Sequence, residues 1–255
     1  MPPPFAALPM YDRPELGAAH DALWAAIRDR LRAGGTAAPD ALDRERGLFE
    51  GWRDPGLVLG QACSLPYRAM LRDAVTVIGT FDYALPETAP GYYHSVIATP
   101  AGALPDSIAT ARIAINQPHS QSGWAAMTEW LAPRRALPET VLETGGHRAT
   151  AVALAEGRAD LGAIDAVTWR LIERFEPDLA ARIDIVDRSA RTPALPLIAA
   201  AGSDGAAIAA AVAAGLAAVP AAAAALGIAG FVPIPADTYL ALPMPPPAPG
   251  HAPNN

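Results

Sequence analysis

The chain has 255 residues, of which 51% are hydrophobic and 18% charged, and its formal net charge is −7. That length supports a sizeable core and excludes wholesale disorder, while the acidic balance excludes a basic nucleic-acid surface as partner. A single cysteine, Cys63, excludes an internal disulfide and a cysteine-rich zinc site.

The chain starts MPPPFAALPM, without a basic n-region ahead of a long apolar stretch, so no export signal is read in it. Residues 5–11 read as a short strand. Leu16, Leu23, Trp24, Ile27 and Leu31 then recur on one face of a helix that Gly34-Gly35 stops. Residues 57–59, 75–79 and 91–98 are strand candidates, the last rich in aromatic and β-branched residues. Residues 112–115 form a strand, followed by the loop 116–122 and a helix over 123–131. Residues 141–144 predict a short strand, 148–156 a helix closed by Gly157, 160–164 a strand, and 166–174 a helix opened by Asp165. Strands follow at 182–186 and 195–201. Ser203-Asp204 caps an alanine-rich stretch whose Pro220 fits a break between two helices better than a bilayer span. The proline-rich residues 243–255 read as a disordered tail. Strands alternating with helices across short Gly, Asp and Ser turns predict an α/β fold with mostly parallel sheets. In such folds ligands bind at the carboxyl ends of strands, so polar residues there are the candidates for function.

Asn116-Gln-Pro-His-Ser-Gln-Ser-Gly-Trp124 joins a strand end to a helix start. Ser120 and Ser122 supply hydroxyls, and the helix supplies outward N–H groups and the positive end of its dipole, a combination suited to a small oxyanion. A simple serine N-cap accounts for the same residues. Thr144-Gly-Gly-His-Arg148 repeats the strand–loop–helix arrangement; His147 is either an anion donor or a solvated loop histidine. Asp165 is an N-cap, a ligand acceptor or a partner that orients His147. Tyr92 and Tyr93 suit packing, or a phenolic donor to a ligand. Cys63, with no basic neighbour or second cysteine, reads as a small buried residue. Neither a nucleophile elbow, a phosphate-binding P-loop, a dinucleotide fingerprint nor an H-E-x-x-H motif is present, so no cofactor is expected. His94, His119 and His147 lack metal-ligand spacing, and no metal is expected.

In order along the chain, Gly91-Tyr-Tyr-His-Ser-Val96, Ser120-Gln-Ser-Gly123, Gly145-Gly-His147 and Arg158-Ala-Asp160 resemble the motifs of the phosphate, phosphite and phosphonate substrate-binding proteins of ABC importers. The resemblance covers residues 5–242. It implies an α/β type 2 periplasmic-binding-protein fold of two lobes, each a mostly parallel sheet flanked by helices, with two hinge crossovers. Lobe one would comprise 1–98 and 192–242, and lobe two 99–191. It further implies a non-enzymatic, monomeric protein of the periplasm that grips a small oxyanion in an inter-lobe cleft by hinge closure and presents it to a permease. Ser120, Gln121, Ser122, Tyr93 and His147 would bind the ligand, with Tyr11, Gln61 and Cys63 from lobe-one strand ends and Asp165 nearby. The crossover Arg191-Thr-Pro-Ala-Leu-Pro196 departs from the family by carrying no acid, which argues against an amine-bearing phosphonate. A second reading stays open: a cytosolic lyase or dehydratase on the same fold, with His147 or Asp165 as general base toward a carboxylated metabolite. A third is a soluble ligand sensor that docks on another protein.

Overall fold

A computed structural model describes residues 2–251. The chain divides into two compact units: residues up to Tyr92 with Pro193–Leu242, and Tyr93–Thr192 with the segment from Pro243 onward.

The first unit is built on a five-stranded sheet. Its strands are β1 (Phe5–Ala7), β2 (Leu57–Gln61), β3 (Val75–Asp82), β11 (Pro196–Ala200) and β12 (Gly230–Val232), in the order β1-β2-β11-β3-β12. Helix α1 (Gly17–Ala33) places Leu23, Trp24, Ile27 and Leu31 inward, the 3.6-residue stripe visible in the sequence. It packs on α8 (Gly205–Ala218), where a Cβ on Gly215 would stand 2.7–2.8 Å from Ile27 side-chain and backbone atoms. Only a residue without a side chain permits that approach. Asp204 caps α8 by accepting from the Ala207 amide, and Pro220 opens a separate helix, α9 (Pro220–Leu226), bent 96° from α8. Among the described residues no single helix is long and apolar enough to cross a membrane. Phe5, Trp52, Leu57, Tyr67, Ile198 and Tyr239 lie in the sheet-side core.

The second unit carries a sheet of β5 (Ser95–Pro100), β6 (Ile113–Ile115), β7 (Val141–Glu143), β8 (Leu161–Asp165) and β9 (Ile183–Arg188), in the order β7-β6-β8-β5-β9. Three helices follow strand ends here: α4 (Ala126–Leu131), preceded by a wide turn over Gln121–Ala125, α5 (His147–Ala155) and α6 (Ala166–Phe175). Ile97, Ile113, Ile115, Trp124, Met127 and Leu161 fill the space between sheet and helices. Each fully buried aliphatic side chain there contributes about 1.5–3 kcal/mol.

Several expectations are corrected. The sheets are mixed rather than mostly parallel. Among the described residues, only β1–β2 pair in parallel in the first sheet; in the second, β6–β7 and β6–β8 are parallel and both ladders of β5 are antiparallel. The reversed strands β11 and β5 each follow a passage of the chain from one unit to the other, so each enters its new sheet against the prevailing direction. The strand expected over 91–98 is two: β4 (Tyr92–Tyr93) pairs with β10 (Thr192–Pro193), and after His94 the chain changes partner and continues as β5. The boundary between units therefore falls at 92/93 and 192/193, not at 98/99 and 191/192. The helix expected from 123 begins at Gln121, because Ser120 rather than a later residue accepts the cap bond from Gly123 N, at 2.9 Å.

Residues 243–251 are not a disordered tail but lie on the second unit. Proline lacks an amide hydrogen yet keeps its carbonyl, and Pro246 O accepts the Trp124 indole N–H at 2.7 Å. Ala248 is buried in the same core, and His251 pairs with Glu143. Residues 252–255, also part of that expected tail, lie outside the described residues.

Candidate functional site

Two strand-to-helix loops of the second unit meet. β6 ends at Ile115, and the loop after it leads to Ser120 and the helix start. β7 ends beside it in parallel register, and its loop leads to His147, the first residue of α5. The loops are tied by the backbone bonds Thr144 N to Ile115 O and Gly145 N to Asn116 O, 2.9 and 2.8 Å. Parallel neighbours end on the same side of a sheet, which is why loops 29 or so residues apart in sequence share one location.

At that location Ser122 Oγ lies 2.7 Å from His147 Nε2 and 3.4 Å from Ser120 Oγ. Asn116 Nδ2 lies 3.2 Å from the same Nε2. On the other side of the ring, Nδ1 is 3.2 Å from Ala163 O and 3.3 Å from the Asp165 amide nitrogen, both on β8. Enclosure by these groups pulls the imidazole pKa from the usual 6.5 down to about 4, with the Ala163 carbonyl acting in the opposite sense. The ring is therefore neutral at pH 7. Gly123 is what lets Asn116 lie this close, since a Cβ there would fall 1.8 Å from Asn116 Oδ1.

Ser95 supports the turn from below: its hydroxyl donates to Ser122 O at 2.7 Å, and it exchanges bonds with Ser189 through Ser95 N to Ser189 Oγ and Ser189 N to Ser95 O, both 2.9 Å. Tyr93, Ser95, Gln121, Ser122, Glu129 and Thr192 line a narrow recess, closed down in this structure to less than the width of a water molecule.

The structure thus gathers Ser120, Gln121, Ser122, Tyr93 and His147 within one unit. Asp165 is close, but through its amide: its carboxylate Oδ1 accepts from Val167 N and Thr168 N at 2.8 and 3.0 Å, the N-cap reading. Tyr11 and Gln61 belong to the first unit, where Gln61 Nε2 donates to the Tyr83 hydroxyl at 3.1 Å and the Tyr11 ring meets the Tyr83 ring edge-on at 5.1 Å. Cys63 is partly exposed rather than buried, and precedes a short helical turn at Ser64–Pro66.

Asn116, Ser95, Ser189, Tyr83 and Glu129 were not singled out from the sequence. Asn116 and Tyr83 follow strand ends, so the rule that selected Ser120 and Gln61 applies to them equally. Glu129 could be found by helical spacing, because Ser122, Ala126 and Glu129 share one face and line the recess together. Its carboxylate is an acid at the recess, one not counted in the reading of the acid-free crossover. Among the described residues no three His, Cys, Asp or Glu side chains are grouped to hold a metal.

The chain matches the family model described as "ABC transporter, phosphonate, periplasmic substrate-binding protein" over residues 5–239. The chain belongs to that family. Its members are transporter substrate-binding proteins, not enzymes, which sets aside the lyase or dehydratase reading with His147 or Asp165 as base.

Solved structures agree on the fold. The binding-protein component of an ABC phosphonate transporter from Pseudomonas aeruginosa, PA3383, superposes with a TM-score of 0.71 at 16% identity, covering 93% of this chain and 83% of that one. PhnD1 from Prochlorococcus marinus, solved with methylphosphonate, also gives 0.71, at 13% identity over 94% and 95%. XAC2383 from Xanthomonas citri, bound to chloride, gives 0.67 at 16% identity over 92% of each chain. Comparison with curated proteins found no match. This member of the family is a solute-binding protein of two α/β units in the periplasmic-binding-protein fold.

Proposed function

We propose that this chain captures a small oxyanion of the phosphonate or phosphate class at the helix start that Ser120 caps, and hands it as a monomer to an ABC-importer permease in the periplasm. The observation that carries this reading is the meeting of Ser122 Oγ with His147 Nε2 at 2.7 Å, beside Ser120, at the positive end of an 11-residue helical run. Hydroxyls and first-turn amides aimed from fixed positions stabilise an anion without any net positive charge. A neutral His147 fits an anion site that works by dipoles, and Tyr93 and Gln121 would add polar contacts from the adjoining recess.

Isothermal titration with methylphosphonate, inorganic phosphate, phosphite and malate tests the proposal. The expected result is saturable binding of at least one of the three phosphorus oxyanions, tighter than malate. No binding of any of them, or malate as the tightest ligand, would refute it.

A further inference from the structure

The groups around the His147 ring between them offer partners to either neutral tautomer. Nδ1 faces an acceptor, Ala163 O at 3.2 Å, and a donor, Asp165 N–H at 3.3 Å. Nε2 faces Ser122 Oγ, which donates or accepts, and the Asn116 carboxamide at 3.2 Å. As placed, Asn116 turns Nδ2–H toward Nε2, while its Oδ1 is buried over Gly123 without a hydrogen-bond partner. Rotating the amide by half a turn therefore sacrifices no bond at Oδ1 and presents an acceptor to Nε2–H instead.

The direction of the Ser122 hydroxyl follows from the tautomer. With hydrogen on Nδ1, the ring bonds Ala163 O, Nε2 accepts, and Ser122 spends its O–H on the ring. Only its lone pairs then remain for a ligand. With hydrogen on Nε2, Nδ1 accepts from the Asp165 amide, the ring donates to Ser122 Oγ, and the Ser122 O–H is released toward the ligand. The exchange takes one proton off Nδ1 and puts one on Nε2 through solvent, so the ring's charge does not change.

We propose that His147 is a positioning residue whose tautomer sets Ser122 as donor or acceptor, so that one site takes both ionisation states of a phosphorus oxyanion. The dianion would be met by Ser122 as donor, under the Nε2–H ring. The monoanion's own P–OH would be met by Ser122 as acceptor, under the Nδ1–H ring. The inference rests on the binding reading above and deepens it to the protonation state of the ligand. The titratable groups facing this region are the Asp165 carboxylate, held by the α6 amides, and Tyr93, His94 and Glu129 around the recess. Among the described residues no charged side chain is bonded to the ring itself, so the tautomer and not a salt link is the variable.

The ¹⁵N shifts of the His147 ring read the tautomer directly in the full chain. They are recorded free and saturated with methylphosphonate, well above and well below the ligand's second pKa, with titration calorimetry under the same conditions. The expected result is Nε2–H with the dianion and Nδ1–H with the monoanion, with affinity changing less than about threefold between them. In Ser122→Ala the link between ligand ionisation and ring tautomer should vanish while the protein stays folded, and affinity for the dianion should fall about tenfold or more relative to wild type. Binding with one unchanged tautomer, or with a doubly protonated ring, overturns the relay and leaves the binding function standing. Absence of binding by methylphosphonate, inorganic phosphate and phosphite alike overturns both.

Discussion

Gly123→Ala isolates the packing that holds the site together. Gly123 is not in the left-handed region, so alanine meets no backbone strain there, and as a helix former it would gain up to about 1 kcal/mol. Its Cβ, however, would lie 1.8 Å from Asn116 Oδ1, 2.9 Å from Asn116 Cγ and 3.2 Å from Ser120 Cβ. Ordinary contact begins near 3.4 Å, so the Asn116 amide must retreat by about 1.5 Å and give up its bond to His147 Nε2. Losing that bond costs about 1 kcal/mol and forcing a methyl into a packed turn about 1–3 kcal/mol. Net destabilisation of about 1–3 kcal/mol should appear as a fall in melting temperature of about 3–10 °C. Thermal unfolding followed by circular dichroism measures it. Asn116→Ala in the same chain should recover most of the loss specific to the clash, as a double-mutant cycle would show. A Gly123→Ala protein as stable as wild type, or an additive double mutant, would refute the reasoning.

Three further outcomes follow from the same contacts. His147 has a folded pKa near 4 against 6.5 when unfolded, so the unfolded chain binds the extra proton first. Stability is complete above pH 6.5 and declines as pH falls toward 4, by at most about 3 kcal/mol from this group, and denaturant titrations across that range should show a smaller decline in His147→Gln. Ending the chain after Leu242 removes the Pro246 acceptor of Trp124 and the buried Ala248. It should cost about 2–3 kcal/mol and red-shift tryptophan emission, whereas unchanged melting and emission would show that the segment is not held. Gly215→Ala drives a methyl into the backbone of Ile27, which cannot turn aside, and should lower the urea midpoint despite alanine's better helix propensity.

Much of the site was legible because it obeys local rules. A strand end, a polar turn and a helix start recur at Ile115–Ser120, Glu143–His147 and β8–α6, and each placed its polar residue at one edge of the same sheet. What escaped depended on partners remote in sequence. β5 and β11 are buried on both faces, a pattern shared by parallel and reversed central strands, so hydropathy could not reveal their direction. The residues 243–251 read as disordered from proline content, since composition says nothing of a carbonyl that meets the Trp124 indole more than a hundred residues away. At Asp165 the modest alternative is the one seen: the cap amides of its own helix both donate to one carboxylate oxygen, Oδ1. Tyr11 and Gln61 were both read as strand-end polar residues; Gln61 does end β2, but β1 stops at Ala7, short of Tyr11, and the tyrosine that joins the two, Tyr83, stood just past β3 unremarked.

The affinity ratio between wild type and Ser122→Ala for methylphosphonate, measured by titration calorimetry, tests most directly whether the helix start and His147 form an anion site. A hydrogen bond to a charged ligand is worth about 1.5–3 kcal/mol, so the account predicts at least about tenfold weaker binding in the variant with its melting temperature little changed. Equal affinities in the two proteins would contradict it.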